Sequence, residues 1–436
     1  MSLFEGQEVE LAIEKPASGG RMIARHLGQV VLVRGAIPGE RVRAWIERAE
    51  KRMAYAVVRE VVEPSPDRRA AGPAGPTNND PLCGGALYSH IAYNRQLAIK
   101  SDVIRDAFGR LGRYPIDRPI EVAGSPEEGY RMRARFHVQG ARAGFYREGT
   151  HQLCDAAATK QLRPETVAAV ERLAAILDRE APGAAVSVTI AENLAGDERA
   201  AHVELAPRAT VTDDTLERAT SDAQLLGISA QEVSIGELRM IGQPAVSDPL
   251  ASLTGQDGRE GWLRRHAASF FQGNRYLLAS LVRAVAEAVP DTGEVVDLYA
   301  GVGLFSVALA ALGRLEVTAV EGDRISGADL RENARPHAPR LAVQVASVEA
   351  YLASRRTRGA ATVVVDPPRT GLSREAADSI VRQAPERVVY VSCDPPTLAR
   401  DARRLLDAGY SLDVLRAFDF FPNTPHVESL ATFIRR

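Results

Sequence analysis

The 436-residue sequence predicts an α/β protein in three parts: a small N-terminal β-barrel over residues 1–65, a central α+β domain over 82–255, and a C-terminal doubly wound, mostly parallel sheet over 256–436. Length is the first observation behind this reading, since roughly 150 residues per domain gives about three. The second is a series of short alternating apolar runs between Leu3 and Val62. The third is the regular strand–helix alternation from about Ser269 onward.

In the first part, runs such as Val30-Val31-Leu32-Val33 and Tyr55-Ala56-Val57-Val58 are separated by Gly19-Gly20 and Ile37-Pro38-Gly39-Glu40, as in strands joined by tight turns. From Glu63 to Pro81 turn-forming residues are too dense for any element, so this stretch reads as a linker. Ile91 to Leu111 carries helical periodicity, with the C-terminal domain as a possible packing partner. Strand-like Tyr130 to Tyr146 follows, then mixed helix and strand to about Pro249. In the last part Val295–Leu298, Val317–Val320, Ala361–Val365 and Val388–Ser392 are β-rich. Helical stretches, clearest at Ser306–Leu312 and Thr397–Leu406, lie between them.

Composition excludes several classes. With 45% hydrophobic and 25% charged residues, disorder is not the main state. No run reaches the roughly 18 apolar residues of a membrane helix, and Met1 to Glu5 lacks an export signal, so a cytoplasmic protein is expected. The formal net charge of −2 confines any nucleic-acid footprint to local patches. Lysine occurs only at Lys15, Lys51, Lys100 and Lys160, so arginine supplies 50 of the 54 cations; its planar fork suits phosphate and base edges. One such patch is Arg131, Arg133, Arg135, Arg142 and Arg147, with no acidic residue among them. Cys83, Cys154 and Cys393 are too few and too scattered for a disulfide framework.

Chemistry-bearing residues gather at strand ends. Asp297-Leu298-Tyr299-Ala300-Gly301-Val302-Gly303 closes the first strand of the last part, and Glu321 ends the next. Glycines there let a ligand press on bare backbone, and the acid can hold ribose hydroxyls. Ser306 stands where a dinucleotide site needs a third glycine, so a nucleoside without phosphates fits better; S-adenosylmethionine is one, with Asp297 suited to its cationic end. Asp366-Pro367-Pro368-Arg369 and Ser392-Cys393-Asp394-Pro395 put a carboxylate and a thiol on the same edge, the thiol just before a helix start that favours thiolate. His426-Val427-Glu428 adds a candidate base.

In this order the motifs resemble the S-adenosylmethionine-dependent RNA uracil-5 methyltransferases that carry an N-terminal OB-like TRAM barrel. The resemblance rests on Phe270-Phe271-Gln272-Gly273-Asn274, the Asp297 to Gly303 run, Asp366 to Gly371, Ser392 to Asp401, and Phe421-Pro422 with His426 to Glu428. Gly19 to Arg25 and Gly35 to Glu40 look like TRAM signatures. The resemblance implies a class I methyltransferase domain and places Gln272, Tyr299, Glu321 and Asp366 at the donor, Cys393 as nucleophile and Glu428 as base. RNA is the implied partner, ribosomal RNA first because of the barrel, tRNA as alternative, with the chain a monomer. No metal site is implied in this chain. Many relatives hold an iron–sulfur cluster on four cysteines, but Ala86 interrupts the Cys83-Gly84-Gly85 remnant and Cys154 sits short of the last ligand place near Thr159, so the cluster is expected to be lost. Asp394 replaces a customary asparagine, and a carboxylate there opposes the thiolate unless a cation such as an arginine pairs with it. Ala300 replaces a frequent cysteine without expected consequence. The rivals are an amino-group methyltransferase, which needs neither Cys393 nor Glu428, and an RNA-binding protein with an inactive site.

Overall fold

The computed structural model describes residues 3–69, 83–233, 237–257, 260–314, 316–354 and 361–436. Most of the expected linker, from 70 to 81, lies outside them.

Strands Glu8–Pro16, Met22–His26, Gln29–Arg34, Arg41–Ala49 and Met53–Glu63 close into a barrel. Period-2 alternation points Val9, Leu11 and Ile13 inward while Glu8, Glu10 and Ala12 face out. Buried Glu40 accepts from the Ile37 amide at 2.8 Å and from Arg68 at 2.6 Å, which fastens the start of the linker to the barrel. Arg34 pairs with Glu148 at 2.9 Å and so ties the barrel to the turn after the central strand Arg142–Tyr146.

The central sheet has seven strands, in the order Arg239–Gly242, Gly227–Glu232, Arg199–Leu205, Ala185–Glu192, Arg133–Gln139, Arg142–Tyr146 and Leu153–Cys154. Helices Pro164–Glu180 and Asp213–Asp222 pack on it through Val170, Leu173, Leu177, Leu216 and Ala219.

The C-terminal sheet has eight strands: Leu341–Val345, Val317–Glu321, Val295–Leu298, Thr362–Val365, Arg387–Ser392, Glu428–Arg435, Tyr410–Phe418 and Val122–Ala123. The first five run parallel, and Glu428–Arg435 pairs antiparallel to both of its neighbours. Fully buried Val295 to Leu298 and Thr362 to Val365 carry the continuous apolar pattern of strands covered on both faces.

Two segments pack across the expected divisions, the first of them the helix whose packing on the C-terminal domain was expected. Helix Tyr93–Arg110 sets Ile104, Ala107 and Phe108 into the same core as Leu398, Ala399 and Ala402 of helix Pro395–Asp407, and its buried Lys100 pairs with Asp419 at 2.5 Å. With Val122–Ala123 on the sheet edge, residues 93–123 are packed on the C-terminal sheet although the sequence runs them into the central segment. The hairpin of Ala245–Pro249 with Trp262–His266 crosses the expected division at 255. The buried pair Arg275–Glu192 ties the C-terminal part to the central sheet and buried Arg265–Asp248 pairs across the hairpin; breaking either would leave the arginine buried without its carboxylate.

Candidate active site

The site lies at the carboxyl ends of the parallel strands, where doubly wound sheets leave a crevice. Val295–Leu298 delivers Tyr299, whose φ of 61° turns the chain sharply, followed by Gly301 and Gly303. A Cβ on Gly303 would come within 2.8 Å of Leu330 and Val307, so glycine is required for helix Leu304–Ala311 to start there. Glu321, at the end of the neighbouring strand, accepts from the Gly301 amide at 2.7 Å and from the Asp323 amide at 2.6 Å. Its carboxylate thereby holds the glycine loop in place.

Asp366 follows the strand Thr362–Val365, and Gln272 reaches across from the Phe270–Asn274 segment to donate to it at 3.2 Å. Cys393 follows Arg387–Ser392, half-buried, and Glu428 opens the last strand, 2% exposed with Oε1 unpaired among the described residues. A cavity of about 530 Å³ is lined by all six residues singled out in the sequence: Gln272, Tyr299, Glu321, Asp366, Cys393 and Glu428. A second cavity of about 440 Å³ opens toward the central sheet between Arg131, Arg133, Phe145, Tyr146, Phe421 and His426. The two share Phe270, Gln272, Arg369, Cys393 and Glu428. Both volumes fall in the roughly 300–1,000 Å³ range of small-molecule sites.

Burial dominates the electrostatics. It raises the Asp366 carboxyl, against the Gln272 hydrogen bond, and it raises Glu428 well above the ordinary range, helped by the Asp366 charge and opposed by Arg369. The Cys393 thiol is pushed up to about 11 by burial and then by Glu428, while Arg369 pulls it down. Two acids crowded in a dry site resist double ionisation, so a proton is readily held here.

Several expectations are corrected. Asp297, read as facing the cationic end of a donor, is fully buried behind the cavity wall and accepts from the Ser306 amide at 3.0 Å. Asp394 is engaged as the cap of helix Pro395–Asp407, accepting from the Thr397 amide. Cys83 and Cys154, judged singly in the sequence, are joined in a disulfide: residue 83 bridges to Arg147 and residue 154 to Phe145, so adjacent backbones bring together thiols separated by 71 positions. Among the described residues no group of three or more metal-ligating side chains occurs. Of the arginine patch, Arg135 is paired with Glu204, whereas Arg131 and Arg133 meet carbonyl and amide oxygens at Arg133, Gln161, Ser269 and Ala268 and lie over Phe145, Phe421 and Phe270. Two residues that line the second cavity carried no role on sequence grounds, Arg369 and His426, although they belong to the Asp366 to Gly371 and His426 to Glu428 motifs; Nη2 of Arg369 lies 2.6 Å from Nδ1 of His426.

A family model described as tRNA (Uracil-5-)-methyltransferase matches residues 355–436, and a TRAM domain model matches 3–58. The chain is 33% identical to the 23S rRNA (uracil(1939)-C(5))-methyltransferase RlmD of Halomonas elongata, over 97% of this chain and 88% of the relative. It is 30% identical to an uncharacterized RNA methyltransferase of Aquifex aeolicus, over 98% and 99%. Among solved structures, the Pyrococcus abyssi tRNA (uracil-54, C5)-methyltransferase in complex with S-adenosyl-L-homocysteine aligns with a TM-score of 0.74 and 25% identity, over 97% of this chain and 99% of that one. With the barrel, the parallel sheet and the shared cavity edge already in place, these likenesses show that the chain belongs to the S-adenosylmethionine-dependent RNA (uracil-5-)-methyltransferase family, in its TRAM-bearing form.

Proposed function

We propose that this chain methylates carbon 5 of a uridine in ribosomal RNA, with Cys393 as nucleophile, Glu428 as base, and Gln272, Tyr299, Glu321 and Asp366 around the methyl donor. The observation that carries the reading is the junction of two cavities at Cys393 and Glu428, one on the donor side and one opening toward the arginine-rich central sheet. Glu321 and Asp366 give the first cavity an acidic wall, suited to ribose hydroxyls and to a sulfonium. S-adenosylmethionine supplies an electrophilic methyl group there.

The remaining chemistry belongs to the chain. Carbon 5 of uracil is a poor nucleophile. Addition of the Cys393 thiolate to carbon 6 turns the ring into an enolate whose carbon 5 takes the methyl. Glu428 then removes the carbon-5 proton and the thiolate leaves, which restores the ring. The buried position of Glu428 raises its proton affinity, as a base for a carbon acid requires. The target base must leave its stack to reach Cys393, so the substrate is a loop or single-stranded uridine.

The 23S rRNA relatives support ribosomal RNA. The archaeal tRNA enzyme's similarity over the full chain favours tRNA as the second reading. Tritiated donor offered with 23S rRNA and with tRNA transcripts separates them. Label in tRNA alone overturns the ribosomal assignment, and no label in either overturns the activity.

A further inference from the structure

The strongest charges on the Cys393 thiol are Glu428, Arg369 and Asp366. Glu428 and Asp366 oppose its ionisation, while Arg369, which lines both cavities together with Cys393, favours it. Since the thiolate is the reactive form, ionisation in this buried place depends on where the Arg369 guanidinium stands.

Arg369 follows Pro367-Pro368 on the cavity rim and reaches both cavities. Its Nη2 lies 2.6 Å from Nδ1 and 3.2 Å from Nε2 of His426. A guanidinium has only donors, so the ring nitrogen it meets must offer a lone pair and the imidazole must be uncharged. The surroundings enforce that state. Burial, Arg369, Lys100 and Arg131 push the ring down to about 3, and Phe421 meets it edge-on with centroids 5.9 Å apart. The His426 amide is held by the Thr424 hydroxyl at 3.3 Å. A carboxylate in place of this ring would cancel the guanidinium's charge. A neutral imidazole fixes the fork and leaves the charge to act on sulfur.

We propose that His426 is a positioning residue that holds Arg369 against Cys393, and that Arg369 supplies the positive charge on which the thiolate depends. The proposal rests on the reading of Cys393 as the nucleophile.

Iodoacetamide tests it on the full chain, with carboxamidomethylation of Cys393 followed by mass at pH 8; the thiolate displaces iodide, so the rate reports the thiolate fraction. Below the thiol's midpoint each unit of upward shift slows alkylation about tenfold. His426→Ala and Arg369→Ala are each expected to slow it about tenfold or more, and the double change no more than Arg369→Ala alone. His426→Gln, whose amide oxygen accepts from the guanidinium, should stay within about threefold of the parent rate. It also keeps the test valid if the alanine variant folds poorly. Truncation widens access to sulfur, so exposure alone would speed the reaction. Alkylation of His426→Ala and Arg369→Ala at or above the parent rate overturns the proposal. If those rates are unchanged while Cys393→Ala abolishes methyl transfer, the positioning role fails and the nucleophile stands. If they slow while Cys393→Ala still transfers methyl, the electrostatic arrangement stands and the nucleophile assignment fails.

Discussion

Oδ1 of Asp394 accepts a hydrogen bond from the Thr397 amide at 2.9 Å, so the carboxylate next to Cys393 is spent on capping helix Pro395–Asp407. The charges that act on the thiol are instead Glu428, Arg369 and Asp366. Asparagine caps as well as aspartate. Asp394→Asn is therefore expected to leave turnover and melting temperature unchanged, whereas Asp394→Ala should cost about 0.5–2 kcal/mol of stability in denaturant titrations. A marked acceleration of methyl transfer by Asp394→Asn would show that its charge does reach the sulfur.

Cys393 and Glu428 should separate by step. Cys393→Ala removes the adduct and with it all turnover, yet leaves donor binding, which calorimetry checks. Glu428→Gln permits addition and methyl transfer but not proton removal, so a covalent protein–RNA species carrying the labelled methyl should accumulate on denaturing gels. The double variant should show no such band. Normal turnover by Glu428→Gln assigns the proton to another acceptor.

How much of this was legible in the sequence depended on whether the signal was local. Strand-end motifs gave away the C-terminal sheet, because the short fully buried runs at Val295 and Thr362 alternate with helices and their ends must converge on one edge. The same rule brought Asp366 and Cys393 together, and family resemblance added Gln272. What stayed hidden was non-local. Lys100 meets Asp419 across 319 positions, Cys83 meets Cys154 through a turn and a bridge, and Arg369 meets His426 across 57; no periodicity encodes such pairings. Asp297 misled because a strand-end acid can point into the crevice or behind it, and period alone does not fix which.

Arg131 and Arg133 line the cavity that faces the central sheet, and among the described ion pairs neither has a carboxylate partner, unlike Arg135. Burial lowers the proton affinity of both, so an arriving phosphate would compensate charge that the protein leaves uncancelled. Replacing both with glutamine should weaken RNA binding and reduce the slope of log affinity against log salt by roughly 0.7–0.9 for each phosphate no longer neutralised, with donor affinity unchanged. Equal RNA affinity at all salt concentrations would remove them from the interface.

Cys83 is fully buried and Cys154 nearly so, and both are engaged with each other. Two thiols do not complete a four-cysteine cluster. Protein purified without oxygen should be colourless and contain no stoichiometric iron, by visible absorption and metal analysis. A brown preparation with several irons per chain would overturn this expectation.

Asp297 makes stability depend on pH in a defined direction. Its carboxyl is fully buried, with Oδ1 unpaired among the described residues. Burial raises it to about 7, partly offset by the hydrogen bond from the Ser306 amide and reinforced by Asp366 and Glu321. A carboxyl whose folded value exceeds its unfolded value of 3.8 favours folding in its protonated form. That contribution is complete below about pH 4 and is lost as pH rises through about 7, because ionising the group in place costs more than ionising it in the unfolded chain. Asp297→Asn keeps an oxygen for the Ser306 amide and cannot ionise. Asp366 and Glu428 shift in the same direction and are present in both proteins, so the difference between the two melting curves reports the titration of Asp297 together with its coupling to Asp366. Without donor, the melting temperature of the parent should fall relative to Asp297→Asn between pH 5 and pH 8. If the two proteins keep a constant difference over that range, the buried carboxyl titrates as an ordinary aspartate and burial does not set its proton affinity.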